Sequence, residues 1–590
     1  MSAAASGLSV AAQDRVFRPE GVIGATVEAL VAELASTGYD PLVTPVGRTA
    51  GEIRLTGAAM DPKAVGHGDL FVAISGARAH GADYVMTALD AGAAAVLTDV
   101  AGAEKVRERV GYRIPVIEVS RVREAAGPSA ALIYGNTATS GPALFGVTGT
   151  NGKTTTTYFL RSLLDTLLRP HQRATGMIGT IEIASGDATI PSKMTTPEAV
   201  QLHSLMALFR EADVAAAAME VSSHAISYER TSGLFYAVAG FTNLTQDHLD
   251  LHGSMEEYFA AKAALFARRR TRSSVVIVDD PWGWRMAEVA TGHVVTLATA
   301  ETPDPAADWS VTDVAPHLLG SAFTLRNRHT GESIRSRTGL PGRFNVANAA
   351  LAAVMVLTAD ESTALGVSRE EIIAALEQAD PFTISVPGRM QVIGTAPAAI
   401  VDFAHNPDAM IRTLEAAAST STGKTILVIG AAGERDSAKR PAMGAIAVRM
   451  ADHVIISDDD PHGEDPAQIR AGLLEGAREA LAAEDLDTTL EEISPRLDAI
   501  SRAVEVAEPE DTIILAGRGH EVHQDFAGTK HPIDDRVELA RALRRRGFPT
   551  ADDAPQTDPD PQTDLDPQTD PAPNTPDHHR LSTAEGGDKS

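Results

Sequence analysis

Two glycines and a lysine placed before a run of threonines are the residues of this chain best suited to holding a phosphate. They occur in "GVTGTNGKTTTTYFL", Gly146 to Leu160. Backbone N–H groups of such a loop, and a helix N-terminus carrying roughly half a positive charge, can face phosphate oxygens. Gly149, Thr150, Asn151, Gly152, Lys153, Thr154 and Thr155 form the candidate cradle. Lys153 would reach the terminal phosphates and Thr154 would hold Mg²⁺. The flanks suit this chemistry, because "PALFGV" reads as a buried strand and "TTTTYFLRSLLDTLL" as an amphipathic helix. The spacing departs from the strict Walker A pattern: five residues, not four, separate Gly146 from Gly152.

A nucleotide-bound magnesium usually takes one or two protein carboxylates. "VAAAAMEVSSHAISYER" offers Glu220 at the end of an apolar run, followed by Ser222, Ser223 and His224. A glutamate closing a buried strand has no packing purpose, although a satisfied strand-end carboxylate fits the residues equally well. "FTNLTQDHLDLHGSMEEYFAAKAALF" adds Asp247, His248, Asp250 and His252 between a strand and a helix, as metal ligands, base-like residues or helix caps. Spacing alone favours caps. Lys262 falls on an amphipathic helix, where residue type alone reads as a solvated lysine.

The elements positioning these groups are short apolar runs alternating with amphipathic stretches, the pattern of an α/β chain with mostly parallel sheets. "AAVLTDV", "PALFGVTG", "VAAAAMEVSS", "AVAGFTN", "KTILVIGAAG", "DHVIISDDD" and "DTIILAGRGHE" are such runs, several ending in glycine or acidic residues. Ligands of open α/β sheets bind beyond the carboxyl ends of the strands, so these ends are candidate site positions. Turn-rich "TATSGPA" and proline-bearing "ADPFTISVPGR" mark boundaries. The expected division is residues 1–139, 140–380 and 381–548, then a tail, 549–590, in which PQTD occurs three times among prolines and aspartates. That composition predicts a disordered acidic tail.

At 590 residues the chain exceeds one core, and 44% apolar with 22% charged residues is ordinary for a globular protein. A net charge of −28 argues against a nucleic-acid partner, which needs lysine and arginine to displace counterions. The absence of cysteine excludes disulfides, thiolate zinc sites and cysteine nucleophiles. The N-terminus lacks a basic segment followed by an apolar core, and no apolar run approaches the about 18 residues of a membrane span. A cytoplasmic protein without membrane insertion is the expectation.

Together, "GTNGKTTT", "MEVSSHA", "FTNLTQDHLDLHG" and "YFAAKAALF", in this order and at these spacings, resemble the Mur ligase family of ATP-dependent amide-forming ligases of peptidoglycan precursor synthesis. The loop spacing is that family's variant. The resemblance implies three domains: an N-terminal UDP-binding α/β domain, a central P-loop ATPase domain and a C-terminal Rossmann-like domain. It also implies an acyl-phosphate mechanism, with Lys153, Glu220, His248 and Lys262 as the catalytic set. Thr154 and Glu220 would bind one Mg²⁺ and Glu220 with His248 a second. Lys262 matches the lysine carried as a carbamate (N6-carboxylysine), an acceptor for the second metal, which reverses its reading as solvated. "LPGRFNVANAALAAV" places Asn345 and Asn348 on the adenine side of ATP, and "VPGRM" and "IVDFAHNPDAM" supply Arg389, Asp402 and His405. Phe403 stands where the family more usually has tyrosine.

The block "GDLFVAISGARAHGADYVMTALDAGAAAVLTD" resembles the first domain of family members that add the third stem-peptide residue to UDP-N-acetylmuramoyl-L-alanyl-D-glutamate. Thr195, Thr196, Ser222 and Arg230 match their UDP-substrate contacts, while "DPK", Asp61 to Lys63, replaces the usual "DSR". Arg435, Gly517 and Glu521 match positions that handle the incoming amino acid. Members using meso-diaminopimelate read "DNPR" nearby, whereas this chain has Asp459, Asp460, Pro461 and His462. A hydrogen bond to a charged group contributes about 1.5–3 kcal/mol. The lost arginine and an added charge at Asp460 therefore predict L-lysine or L-ornithine over diaminopimelate. Alternatives are the same ligase specific for meso-diaminopimelate, a folylpolyglutamate synthase-like ligase, and a non-catalytic P-loop subunit. A monomer is expected.

Overall fold

The computed structural model describes residues 18–44, 49–76, 79–137, 140–362, 365–418 and 422–553. The described residues up to Ala551 pack as one compact unit. Nearly all of the acidic tail, and the N-terminal segment read for targeting signals, lie outside the described residues.

Three sheets in chain order carry the fold. The first has five strands in the order Leu42–Val43, Val116–Glu118, Ala95–Thr98, Asp69–Ala73, Gly57–Ala59, parallel except at the Leu42–Val43 edge. The second is an eleven-stranded sheet containing the phosphate-loop strand, Ala143–Thr148, between Val214–Glu220 and Tyr236–Phe241. Both pairings are parallel. The third has six strands and runs parallel from Ala398–Val401 through Thr512–Leu515, Thr425–Ile429 and His453–Ile456 to Thr489–Glu492. All seven apolar runs singled out in the sequence contain strands of these sheets. Their unbroken apolar character follows from burial on both faces, as for Ala95–Thr98 and Tyr236–Phe241, where every residue is buried.

Two helices close one face of the central sheet. Helix Lys153–Leu168 packs Phe159, Leu160, Leu163, Leu164 and Leu167 onto it, and helix Arg343–Ser362 is apolar almost all round because it is enclosed by the same core. The opposite face is covered around Leu202, Phe209, Phe241 and Phe266. From Ala143–Thr148 the chain runs to one side of the sheet, towards Ala174–Ile178. From the neighbouring strand Tyr236–Phe241 it runs to the other, towards Thr271–Ile277. Such a reversal opens a crevice at the carboxyl ends of the two strands, and the phosphate loop sits there. Among the described residues, no helix is long and apolar enough to cross a membrane.

Candidate active site

Gly146 belongs to the strand, not the loop. A Cβ there would lie 2.6 Å from the Tyr236 ring, so this glycine exists for packing. The extra residue of the spacing is thereby explained: the turn proper runs from Gly149 to Gly152. Gly152 has φ +89° and opens the helix, and a Cβ on it would come within 2.4 Å of Asn348 Oδ1. Thr150 N–H donates to Asn243 O (3.0 Å) and Asn151 N–H to Asn243 Oδ1 (3.0 Å), so residues after strand Tyr236–Phe241 hold the loop from outside. Thr155 is buried in the first turn of the helix. Lys153 Nζ donates to the loop's own carbonyls, Gly149 O (3.0 Å) and Thr150 O (2.9 Å). Burial pulls its pKa down, against the opposing pull of Glu220 and Asp247.

Glu220 closes its strand almost fully buried. Its carboxylate accepts Thr154 Oγ1–H (2.9 Å), Thr180 N–H (2.7 Å) and Thr180 Oγ1–H (2.9 Å). Thr180 carried no sequence signal. Two hydroxyls and a carboxylate are hard oxygen donors of the kind Mg²⁺ takes, so the set fits that ion. Thr195 Oγ1 lies 3.1 Å from Thr180 Oγ1, and Thr196 Oγ1 donates to the Glu220 carbonyl (2.9 Å) and accepts Ser222 N–H (3.1 Å). Arg230 reaches Thr196 O (3.3 Å) and pairs with Glu198 (3.0 Å).

The histidines do not cap helices through their side chains, contrary to the reading from spacing alone. His248 precedes helix Leu249–His252 with φ +54° and makes no side-chain capping bond, while His252 Nε2 lies 3.1 Å from Ser223 Oγ. The His248 ring centroid is 4.8 Å from that of His224, and Nε2 lies 3.7 Å from Asp247 Oδ2. Burial first, then the nearby cationic groups, drives the His248 pKa to about 3 against the pull of Asp247. The imidazole is therefore neutral and its lone pair can serve a metal.

Lys262 is not solvated; it is 1% exposed. Its Nζ donates to Gly149 O (2.8 Å) and sits 4.4 Å from the Tyr258 ring centroid, with no carboxylate paired to it among the described residues. An ammonium left this way is costly. Burial, and next Lys153, push its pKa far down, which favours the neutral amine from which a carbamate forms.

The third sheet completes the site. Arg389 Nη2 donates to Thr154 Oγ1 (3.3 Å), and its guanidinium lies 4.2 Å from the Phe403 ring centroid, so ring bulk without a hydroxyl suffices there. His405 donates from Nδ1 to Phe403 O (2.9 Å), and burial takes its pKa to about 4. Asp402 spends its oxygens on Met390 N–H (2.7 Å), Ala404 N–H (3.1 Å) and Thr413 Oγ1–H (2.9 Å), fixing the loop that carries Phe403 and His405. Asn348 Nδ2 donates to Asn345 Oδ1 (3.2 Å), and Asn348 Oδ1 accepts from Thr156 (3.3 Å). These groups surround one cavity of about 1150 Å³, with Lys153, Glu220, His248, Arg389 and His405 in its wall and Arg435 reaching it from the C-terminal sheet.

The chain matches the family profiles described as Mur ligase family, catalytic domain (residues 54–134), Mur ligase middle domain (147–356) and Mur ligase, glutamate ligase domain (388–519). A Streptomyces coelicolor protein named UDP-N-acetylmuramoyl-L-alanyl-D-glutamate--2,6-diaminopimelate ligase is 42% identical over 522 residues, 87% of this chain and 97% of that one. The chain belongs to the Mur ligase family. A Leifsonia xyli relative named UDP-N-acetylmuramyl-tripeptide synthetase is 41% identical, covering 84% of this chain and 93% of its own. A solved structure titled UDP-N-acetylmuramoyl-L-alanyl-D-glutamate--2,6-diaminopimelate ligase aligns over 89% of this chain and 100% of that chain, with TM-score 0.58 and 26% identity. Membership makes the protein an ATP-dependent ligase of peptidoglycan synthesis. It sets aside the folate-ligase and non-catalytic readings, the first because the N-terminal block itself matches the family.

The expectation of lysine or ornithine is overturned by the relatives named for 2,6-diaminopimelate. The physical reason lies in a partner the sequence reading did not weigh. Asp460 Oδ1 accepts from Arg518 Nη1 at 2.8 Å, and also from Asp525 N–H (3.1 Å). Arg518 is fully buried, so the charge of Asp460 is committed to it and is not free to repel a carboxylate. Asp459 lies beside it, buried, with its pKa raised by burial. Glu521 is pushed up to about 8, first by burial and then by Asp459 and Asp460. Gly517, at φ +110°, leaves room for Asp459 Oδ2, which a Cβ would meet at 2.6 Å. His462 holds φ +49°, with Nδ1 3.8 Å from Asp525 Oδ2.

Proposed function

We propose that this protein joins 2,6-diaminopimelate to the D-glutamate of UDP-N-acetylmuramoyl-L-alanyl-D-glutamate, using ATP and passing through an acyl phosphate. The observation that carries it is the meeting, in one cavity, of the phosphate loop, Glu220 and Arg389 from two different sheets. The relatives' names supply the substrates.

In this reading the glutamyl carboxylate oxygen attacks the γ-phosphorus, the P–O bond to ADP breaks, and the amine nitrogen then attacks the acyl carbon. The C–O bond to phosphate breaks and the amine loses its proton. Lys153 and Arg389 orient and neutralise phosphate oxygens. Thr154, Glu220 and His248, with Lys262 as its carbamate, would hold two Mg²⁺ ions, which supply charge stabilisation on the transferred phosphoryl group. Asn345, Asn348, Asp402 and His405 support the nucleotide side. Thr195, Thr196, Ser222 and Arg230 face the UDP-substrate. Arg435, Asp459, Asp460, His462, Gly517 and Glu521 belong to the amino-acid side.

The division of labour follows the three sheets, with boundaries at 139/140 and 380/381. We place the reaction in the cytoplasm, with the protein a monomer and without a nucleic-acid partner, as its charge of −28 supports. Supplying ATP, Mg²⁺ and the UDP-dipeptide with diaminopimelate, lysine or ornithine separately tests the substrate. A tripeptide nucleotide formed with diaminopimelate is the expected product. Its formation with lysine or ornithine alone would contradict the proposal.

A further inference from the structure

Asn151 sits at the crest of the phosphate loop, and none of its polar groups is free. Its N–H donates to Asn243 Oδ1 (3.0 Å), and its carbonyl accepts from Thr242 Oγ1 (2.6 Å) and Asn243 Nδ2 (3.2 Å). Its side-chain amide is taken at both ends by the start of the helix that follows strand Ala398–Val401: Nδ2 donates to Asp408 Oδ2 (2.9 Å) and Oδ1 accepts from Asn406 Nδ2 (3.2 Å).

The two partners are themselves fixed by how their helix begins. In "HNPDAM", Asn406 Oδ1 accepts Ala409 N–H (2.9 Å), the capping bond of helix Pro407–Ala418, with proline in the first helical position. That leaves Asn406 Nδ2 as a donor towards Asn151 and, at 3.4 Å, Asp247 Oδ2. Asp408, in the first turn, accepts Arg412 Nε on both oxygens (3.1 Å each). The contact with Arg412 holds the Asp408 carboxylate turned to receive Asn151. A capped helix start thus grips the loop residue preceding Gly152 and Lys153.

We infer that Asn406 and Asp408 are positioning residues for the phosphate loop, acting through the side chain of Asn151, which serves as a peg for the start of helix Pro407–Ala418 and not as a phosphate ligand. The inference rests on the loop's binding ATP and is independent of which amino acid the enzyme adds.

Asn151→Ala, Asp408→Ala and the double variant, compared with the unaltered chain by calorimetric ATP binding and by steady-state kinetics, test it. Each single variant is expected to weaken ATP binding at least fivefold, with KM for the UDP-dipeptide changed less than twofold. The double variant should be no more than twofold worse than the poorer single, because the Asn151–Asp408 bond is already lost in each single variant. Asp408→Asn keeps an acceptor oxygen and should restore ATP binding to within threefold of the unaltered chain. Multiplying effects in the double variant, a loss under fivefold in Asp408→Ala, or a parallel rise in KM for the UDP-dipeptide would overturn the inference. Calorimetry needs no turnover, so failure of the ligase proposal would show separately, as ATP binding without product.

Discussion

At the scale of single residues, the site depends on charges placed where water is scarce. Lys262 shows this most sharply, since its only hydrogen bond among those described is to Gly149 O at 2.8 Å. A carbamate there would turn an expensive buried cation into an anion facing metal and Lys153. In buffer stripped of carbon dioxide, kcat should fall and added bicarbonate should restore it, and Lys262→Met should lose on the order of a hundredfold in kcat. Indifference to bicarbonate together with an active Lys262→Met would contradict the carbamate. The lysine's burial was legible in principle: Tyr258, Phe259 and Lys262 recur at helical spacing and share the buried face of helix Met255–Ala263. Residue type overrode periodicity in the sequence reading. Asp460 was misjudged for the opposite reason, because its neutralising partner Arg518 lies 58 positions away and only the fold joins them.

At the scale of elements, local pattern determined most of what was found. Apolar runs became parallel strands, glycines took the turn, and "HNPD" contained a helix cap whose contact with Asn151 no local pattern could reveal. Junctions between elements are where sequence reading falls silent. His203, on helix Ala199–Glu211, is fully buried between Asn136 Nδ2 (3.2 Å from Nδ1) and Ser232 O (2.9 Å from Nε2). Those partners require a neutral ring, accepting at Nδ1 and donating at Nε2. Burial depresses its pKa to about 4 despite the Ser232 carbonyl. The unfolded chain therefore binds more protons between about pH 6.5 and 4. Stability from this group is complete above that window and falls through it, by on the order of 3 kcal/mol. His203→Gln should flatten the dependence of the thermal midpoint on pH across this window, and an unchanged slope would contradict the assignment.

At the scale of the whole molecule, three sheets in series suit the proposed reaction, which would bring together a nucleotide, a large UDP-linked acid and an amine. The central sheet supplies the crevice, and the C-terminal sheet lends Arg389, His405 and Arg435 to its wall. The three-part organisation and the order of motifs were readable in advance. The identity of the amine was not: the sequence shows the charge of Asp460 but not the Arg518 guanidinium that the fold sets 2.8 Å from it. The most direct test of the account is phosphate release by the full chain with ATP, Mg²⁺, UDP-N-acetylmuramoyl-L-alanyl-D-glutamate and diaminopimelate, omitting each component in turn. Steady release that requires all four, one phosphate per tripeptide nucleotide formed, is the predicted result. Release that persists without the UDP-dipeptide or without diaminopimelate, or no release with all present, would contradict it.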